Sequence, residues 1–214
     1  MTIKHHLSDE LLMAYAAADL PEAFNLVIAA HLSLCDECRA RSMAFDALGG
    51  AVIEDSTCEM DAGSLAACLA RIDALPQVAA PVKRRGDAVL PAPLLDYVGG
   101  GLDAVKWRSL GMGVRQAILP TGDKGASARL LYIPAGAAMP DHGHRGMELT
   151  LVLQGAFRDE ADRFGRGDIE IADASVEHTP VAEAGDACIC LAATQGSLKF
   201  NALLPRLAQP FFRI

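Results

Sequence analysis

A short histidine-rich segment restricts how the second half of this chain can fold. His142 and His144 are two residues apart, so on a β-strand they face the same side. These histidines and Glu148 are candidate ligands of one metal ion. Glu148 cannot reach that ion from the same straight strand, because at about 3.3 Å per residue it would lie roughly 13 Å beyond His144. A turn must fall between them, and Arg145-Gly146 contains a residue that tolerates one. The sequence predicts a fourth ligand, His178, from a strand on the opposite side of the fold.

A second group of metal-binding side chains lies near the N-terminus and is rich in cysteine. His31, Cys35 and Cys38 are spaced by four and three residues, which places them on one side of a helix or of a tight helical corner. Thiolate sulfur and imidazole nitrogen together suit zinc, usually in closed sites with four ligands. His5 and His6 can each supply the fourth ligand; we favour His6, which directly precedes the first predicted helix, but the spacing leaves both open.

Composition and charge argue against several classes of function. The 214-residue chain is long enough for two small domains, each with its own core. Its net charge is −8, and Lys83-Arg84-Arg85 is too short a basic cluster to follow a phosphate backbone, so we expect no direct binding to nucleic acid. No apolar run reaches the roughly 18 residues of a membrane span, and the N-terminal segment lacks the layout of a secretion signal. We therefore expect a cytoplasmic protein without a membrane partner.

The N-terminal part of the sequence predicts a helical domain. Acidic residues follow Ser8, apolar residues recur at helical spacing, and Gly49-Gly50 indicates a break or a weak point. Four helix starts are predicted, at Ser8, Pro21, Cys35 or Asp36, and Ser64. We assign residues 1–76 to this helical bundle.

The sequence changes character after Pro76. A proline-rich segment, 77–94, is the predicted linker, and short apolar runs separated by Gly, Pro and Asp fill 95–214. Such runs are typical of an antiparallel sandwich or barrel. The predicted strands are Val114–Leu119, Ala128–Pro134, Met147–Leu153, Asp168–Ala172, Ala187–Ala193 and Leu198–Leu203.

The cysteine motif in its helical setting resembles a known family. His31-x-x-x-Cys35-x-x-Cys38, with a histidine upstream, is similar to the zinc-binding anti-sigma factors of bacteria. This resemblance covers roughly residues 1–76. It implies zinc on His6, His31, Cys35 and Cys38, and a domain that binds an alternative sigma factor, typically of the extracytoplasmic-function group, and blocks its access to core RNA polymerase.

The histidine motif resembles a second family. Gly136 through Gly155 matches the first motif of the cupin superfamily at every defined position. The second motif keeps its spacing to His178, but Asp173, Ser175 and Ala182 stand where the family usually has Pro, Gly and Asn. The resemblance implies an antiparallel cupin β-barrel, and three imidazoles with one carboxylate suit zinc, manganese, iron or nickel.

Together the two halves resemble the ChrR-type anti-sigma factors. The resemblance implies a cytoplasmic regulator that forms a heterodimer with a sigma factor and releases it on an oxidative signal, of the singlet oxygen or organic peroxide class, sensed through the cupin domain. Cys188 and Cys190 face the same side of a predicted strand and are a candidate redox pair.

The competing hypothesis is a metal-dependent cupin enzyme, a dioxygenase or isomerase, with an accessory helical zinc domain. Asp141 and Glu177 are the nearest carboxylates in sequence to the ligands, and neither is an evident acid or base. We therefore assign no catalytic residue.

Overall fold

Helices form the N-terminal region of the computed structural model, which describes residues 2–76, 86–122 and 125–196 and the backbone of 199–200. Within these described residues the longer helices number four, as expected, and a fifth is a single turn. Two turns of 3-10 helix, Ala92–Leu94 and Leu102–Ala104, follow in the chain. Among the described residues, no helix is long and apolar enough to cross a membrane. The helices are α1 (Asp9–Ala16), α2 (Glu22–Leu34), α3 (Asp36–Asp55), α4 (Ser64–Asp73) and α5 (Leu95–Val98).

Side chains cap two of these helices, at starts that the sequence predicts. Ser8 accepts a hydrogen bond from the Leu11 amide at the start of α1, and the Cys35 sulfur accepts one from the Cys38 amide at the start of α3. Gly49-Gly50 does not break the helix, because α3 continues through both glycines, and only the weaker form of that prediction, a weak point, remains. Nothing lies within 4 Å of a Cβ at either position, so both glycines face open space.

Antiparallel strands make up the remainder of the described chain. They form one six-stranded sheet in the order β1-β2-β3-β11-β5-β8 and two three-stranded sheets, β10-β6-β7 and β12-β4-β9. The strands are β1 (Arg108–Gly111), β2 (Val114–Ile118), β3 (Ala126–Ile133), β4 (His142–Gly143), β5 (Glu148–Gln154), β6 (Ala156–Arg158), β7 (Arg163–Gly165), β8 (Ile169–Ala172), β9 (Glu177–His178), β10 (Val181–Ala182), β11 (Cys188–Gln195) and β12 (Lys199–Phe200). Of the predicted strand Leu198–Leu203, only Lys199–Phe200 lies within the described residues.

The large sheet is buried on both faces where β5 and β11 run side by side. Leu151 and Leu191 are paired and belong to a core that also contains Ile28 of α2. Their neighbours Val152 and Cys190 are paired too and belong to a second core within the domain that the strands form, which we call the barrel domain. Because α2 contacts β3, β5 and β11, the helical region and the sheet share one hydrophobic core.

The predicted linker contributes to this shared core. Residues 77–85 of it lie outside the described residues, whereas 86–94 include Leu90 and Leu94, which are fully buried. The Asp87 carboxylate accepts hydrogen bonds from the amides of Val89, Leu90 and Leu102 and so fixes this stretch against the barrel domain.

Candidate metal centres

The N-terminal cluster brings together the four side chains predicted for the first site. One ligand atom from each of His6, His31, Cys35 and Cys38 lies within 4.8 Å of the others. The corner between α2 and α3 places Cys35 and Cys38, and the extended segment before α1 brings in His6. Its Nδ1 lies 3.3 Å from the Cys35 sulfur and 3.6 Å from that of Cys38. His5 points elsewhere, with its Nε2 3.1 Å from Asp162.

His31 is held in the tautomer that a metal ligand requires. Its Nδ1 donates a hydrogen bond to the carbonyl of Gly167 at 3.0 Å, and because a carbonyl only accepts, Nδ1 carries the proton. Nε2 is buried and has no hydrogen-bond partner among the described residues. Burial lowers the pKa of His31 to about 4, so the ring is neutral at pH 7. A buried lone pair without a partner is what a cation at this point would satisfy.

The two thiols at this site also suit a cation. Burial, followed by the neighbouring Cys35, raises the pKa of the Cys38 thiol to about 11. A divalent cation reverses this preference, because its charge stabilises the thiolate in a buried place. Two cysteine sulfurs and two imidazoles form a donor set typical of structural zinc sites.

The second cluster brings together three of the four side chains predicted for the barrel site. One nitrogen each of His142, His144 and His178 lies within 4.8 Å of the others. The chain bends at Arg145-Gly146, as predicted, so that Glu148 begins β5. His178 does not come from the opposite side of the fold: it lies on β9, directly paired with His142 on β4. In an antiparallel pair, two residues in direct register have neighbouring side chains, which explains how they meet.

The contacts of His144 fit a proton or a cation shared with His178. Its Nε2 lies 3.3 Å from Nε2 of His178, a distance at which a proton on one nitrogen, or a cation bound to both, must lie between them. Its Nδ1 is buried without a hydrogen-bond partner among the described residues, 3.6 Å from a Glu148 oxygen. Burial, followed by the neighbouring His142 and His178, lowers the pKa of His144 to about 4, so the ring is neutral at pH 7.

Glu148 lies beside the three histidines but outside the group of atoms within 4.8 Å. Its other oxygen accepts a hydrogen bond from Thr150 at 3.0 Å. Burial raises the pKa of Glu148 to about 7, so near neutral pH its charge depends on what binds next to it. The residues present fit a divalent transition metal, held by His142, His144 and His178 with Glu148 adjacent.

Two carboxylates orient His178, and sequence reasoning missed both. The His178 Nδ1 lies 3.0 Å from Glu170 and 3.1 Å from Asp159, which leaves Nε2 to face the other histidines. Burial lowers the pKa of His178, but the hydrogen bond and charge of Glu170, with a further contribution from Asp159, raise it to about 9. Glu170 alternates with apolar neighbours on β8, the one signal that places it on a defined face of the sheet.

A cavity of about 180 Å³ adjoins the second cluster. Its lining is largely apolar and includes Leu131, Met139 and Phe157, with His142 and Glu148 on the polar side. Cys190 also lines it, and its sulfur lies 3.5 Å from that of Cys188, both side chains being buried. A small apolar molecule in this cavity would contact the histidine cluster and one thiol together.

Comparison with known proteins matches both halves of the chain. The model of the ChrR cupin-like domain matches residues 98–198. The curated protein "Anti-sigma-E factor ChrR" of Cereibacter sphaeroides is 65% identical over 215 residues, covering 100% of both chains. A chain in the crystal structure of Rhodobacter sphaeroides SigE in complex with the anti-sigma ChrR is 62% identical, with a TM-score of 0.79 over 91% of this chain and 100% of that chain. The predicted fold, a helical region followed by a cupin-like antiparallel domain, is confirmed.

Proposed function

Since this chain belongs to the family of the anti-sigma factor ChrR, we propose that it binds an alternative sigma factor of the extracytoplasmic-function group and blocks its access to core RNA polymerase. The similar chain in the SigE complex supports this proposal, because the match extends over the helical region as well as the barrel. The proposed partner works with RNA polymerase, so the proposed compartment is the cytoplasm.

The observation that carries the proposal is a set of exposed apolar side chains on or next to α3 and α4, without a covering element among the described residues. We call it the α3–α4 surface. Every residue of α4 is described, and none of them is buried, although the helix is amphipathic. Isolated amphipathic helices of this length are marginal in water, so a partner surface is the expected complement. The exposed side chains are Met43, Leu48, Val52, Ile53, Leu65, Leu69, Ile72 and Leu75.

In this proposal the N-terminal site holds zinc and has a structural role. His6 precedes α1, His31 lies in the last turn of α2 and Cys38 in the first turn of α3, so one ion would connect three elements of the helical region. A structural zinc supplies folding free energy directly. Its loss would separate the segment before α1 from the α2–α3 corner and disturb the α3–α4 surface.

We further propose that the barrel senses an oxidative signal of the singlet oxygen or organic peroxide class. The cavity, the histidine cluster beside it and the thiol of Cys190 support this proposal, because a small apolar oxidant entering the cavity would reach a metal site and a sulfur. The metal is zinc or another divalent transition metal, since three imidazoles and a carboxylate accept several. A change of state there would lower the affinity for the sigma factor.

Isolation of the tagged chain from its native cells, followed by mass spectrometry and transcription with core RNA polymerase, tests the proposal. We expect a sigma factor to co-purify, and the chain to abolish transcription that depends on it. Cys35→Ser should restore transcription by removing a zinc ligand. His142→Ala should still inhibit but fail to respond when a photosensitiser generates singlet oxygen.

A purified chain that leaves every sigma-dependent transcript unchanged would contradict the anti-sigma proposal. Metal-dependent oxidation or isomerisation of a small molecule would then favour the cupin enzyme. If His142→Ala alone abolished inhibition, the assignment of sensing to the barrel and binding to the helical region would be wrong.

A further inference from the structure

The segment that carries His6 lies against the turn between β7 and β8 of the barrel domain. The Asp168 side chain at this turn accepts hydrogen bonds from the amides of Lys4 at 2.6 Å and His5 at 3.1 Å through one oxygen. Its other oxygen accepts one from Gly165 at 2.8 Å. A single carboxylate thus joins the two residues before His6 to the turn. Asp168 is nearly fully buried, so water competes little for these bonds.

Ring and aliphatic contacts also join the segment before α1 to β7 and to the turn that follows it. The His5 ring lies 4.4 Å from the ring of Phe164 on β7, centroid to centroid. The His5 carbonyl accepts a hydrogen bond from the Ile169 amide at the start of β8. Gly167 has a φ of +87°, which strains any residue with a side chain, and a Cβ there would come within 2.7 Å of the Ile3 side chain and displace it.

The same turn also fixes a second side chain of the N-terminal site. His31, on α2, donates its Nδ1 proton to the carbonyl of Gly167 at 3.0 Å. The acceptor lies 136 residues further along the chain, in the other part of the molecule. Two of the four side chains of the site are therefore positioned by a turn of the barrel domain, His31 directly and His6 through its neighbours.

We propose that the turn from Gly165 to Asp168 is a positioning element of the N-terminal metal site, so that the barrel domain completes the site in the helical region. Gly167 sets the tautomer and orientation of His31, and Asp168 sets the position of His6. Partners of this kind hold ligand side chains ready for the metal, and their loss typically weakens metal binding 10- to 100-fold. The inference rests on the proposed metal site and is independent of the sigma factor.

The turn also connects the two metal sites. Strand β8 begins directly after Asp168, and Glu170, two residues further, contacts the Nδ1 of His178 in the second cluster. Through these contacts a displacement of β8 at His178 would reach the residues that hold His6 and His31. This supplies a physical route for the signal that the proposed function requires.

Cobalt binding to the full-length chain tests the inference, because only a site with thiolate ligands gives sulfur-to-cobalt charge-transfer absorption. We expect Asp168→Ala to weaken cobalt binding at that site about 10- to 100-fold and to shift its ligand-field bands, which report ligand geometry. Asp168→Asn keeps an acceptor for the amides of Lys4 and His5, so it should lose less cobalt affinity than Asp168→Ala. Asp186→Ala removes an exposed carboxylate elsewhere in the barrel and is the matched control, with wild-type affinity and bands.

The possible outcomes separate the inference from the site itself. A wild-type chain without a charge-transfer band would refute the metal site and the inference with it. A band that is present but unchanged in Asp168→Ala would overturn the inference alone. If Asp168→Ala does not fold, amide hydrogen exchange in the wild-type chain is the deciding measurement. Slow exchange of the Lys4 and His5 amides supports the inference, and exchange at unprotected rates overturns it.

Discussion

At the scale of single residues, the second metal cluster depends on how His178 is held. Glu170 and Asp159 both contact its Nδ1, so the proton stays on that nitrogen and Nε2 is directed to the other histidines. His142 is fixed in a comparable way, by donation from its Nδ1 to the carbonyl of Pro140 at 2.8 Å. The neutral carbonyl only orients its ring, whereas the carboxylates also make His178 a stronger base and a stronger ligand.

This arrangement predicts the effect of Glu170→Gln. The amide keeps the shape and can still accept from Nδ1, but it loses the charge that strengthens His178, so metal affinity at the second site should fall about 10-fold. Competition with a chromophoric chelator measures it. Glu177→Gln changes an exposed glutamate one residue before His178 and is the control. Equal affinities for the two variants would show that Glu170 is only a packing residue.

The proposed ligands could be read from the sequence, but the groups that orient them could not. His142, His144 and His31 belong to motifs in which local spacing alone brings donors together. Gly167 contacts His31 only because the chain folds back over 136 residues, and the Gly167 carbonyl, like any backbone group, leaves no mark in the sequence. Glu170 lies between two isoleucines in the sequence, a pattern typical of a side chain that faces solvent. In the folded chain the small sheets cover that face, and Glu170 is buried.

At the scale of elements, α2 and α4 are both amphipathic helices, but among the described residues only α2 buries its apolar side chains. Helix α2 buries its apolar side chains, Val27 and Ile28 among them, against the large sheet. The apolar side chains of α4 remain exposed. Sequence patterns gave both helices an apolar face but could not say which face has a partner within the chain. Strand β11 carries a continuous apolar run because both of its faces are covered: Leu191 faces α2 and Cys190 faces the cavity.

The α3–α4 surface predicts the result of Ile72→Ser. Ile72 is 57% exposed, so the change should leave the stability of the free chain nearly unaltered. Burial of an isoleucine in an interface contributes about 1.5 kcal/mol or more, so affinity for the sigma factor should fall at least about 10-fold. Calorimetric titration measures it. Ile118→Ser, which alters an exposed isoleucine on β2, should bind like the wild type, and a similar loss there would argue against the α3–α4 surface.

At the scale of the whole molecule, the helical region and the barrel domain pack against each other in addition to being joined by the predicted linker. Helix α2 and the large sheet share a core, and Glu22 at the start of α2 accepts hydrogen bonds from Tyr97 and from the Gly122 amide. Arg166 of the β7–β8 turn donates to the carbonyls of Ala88 and Leu153. The sequence indicated two domains because each half carries its own motif. Motifs report local chemistry, whereas the contact between the halves depends on which apolar faces meet.

From the shared core and the turn at Asp168 we expect the two proposed metal sites to be thermodynamically coupled. Metal at the second site would hold His178, and through Glu170 it would hold β8 and the turn at Asp168. Loading that site should therefore raise the affinity of the N-terminal site, and by linkage the reverse must hold to the same degree. His142→Ala, which weakens the second site, should lower cobalt affinity at the N-terminal site about 5-fold, at the lower end of typical couplings.

A double-mutant cycle decides whether this coupling passes through Asp168. If Asp168 is the connection, His142→Ala should have no further effect once Asp168→Ala is present, because the turn is already released. The same cycle with Asp186→Ala should give effects that multiply, since that exposed carboxylate lies outside the route. The cobalt charge-transfer band measures all of these affinities on the full-length chain. Multiplying effects for His142→Ala and Asp168→Ala would mean that the sites communicate through the core and not through the turn.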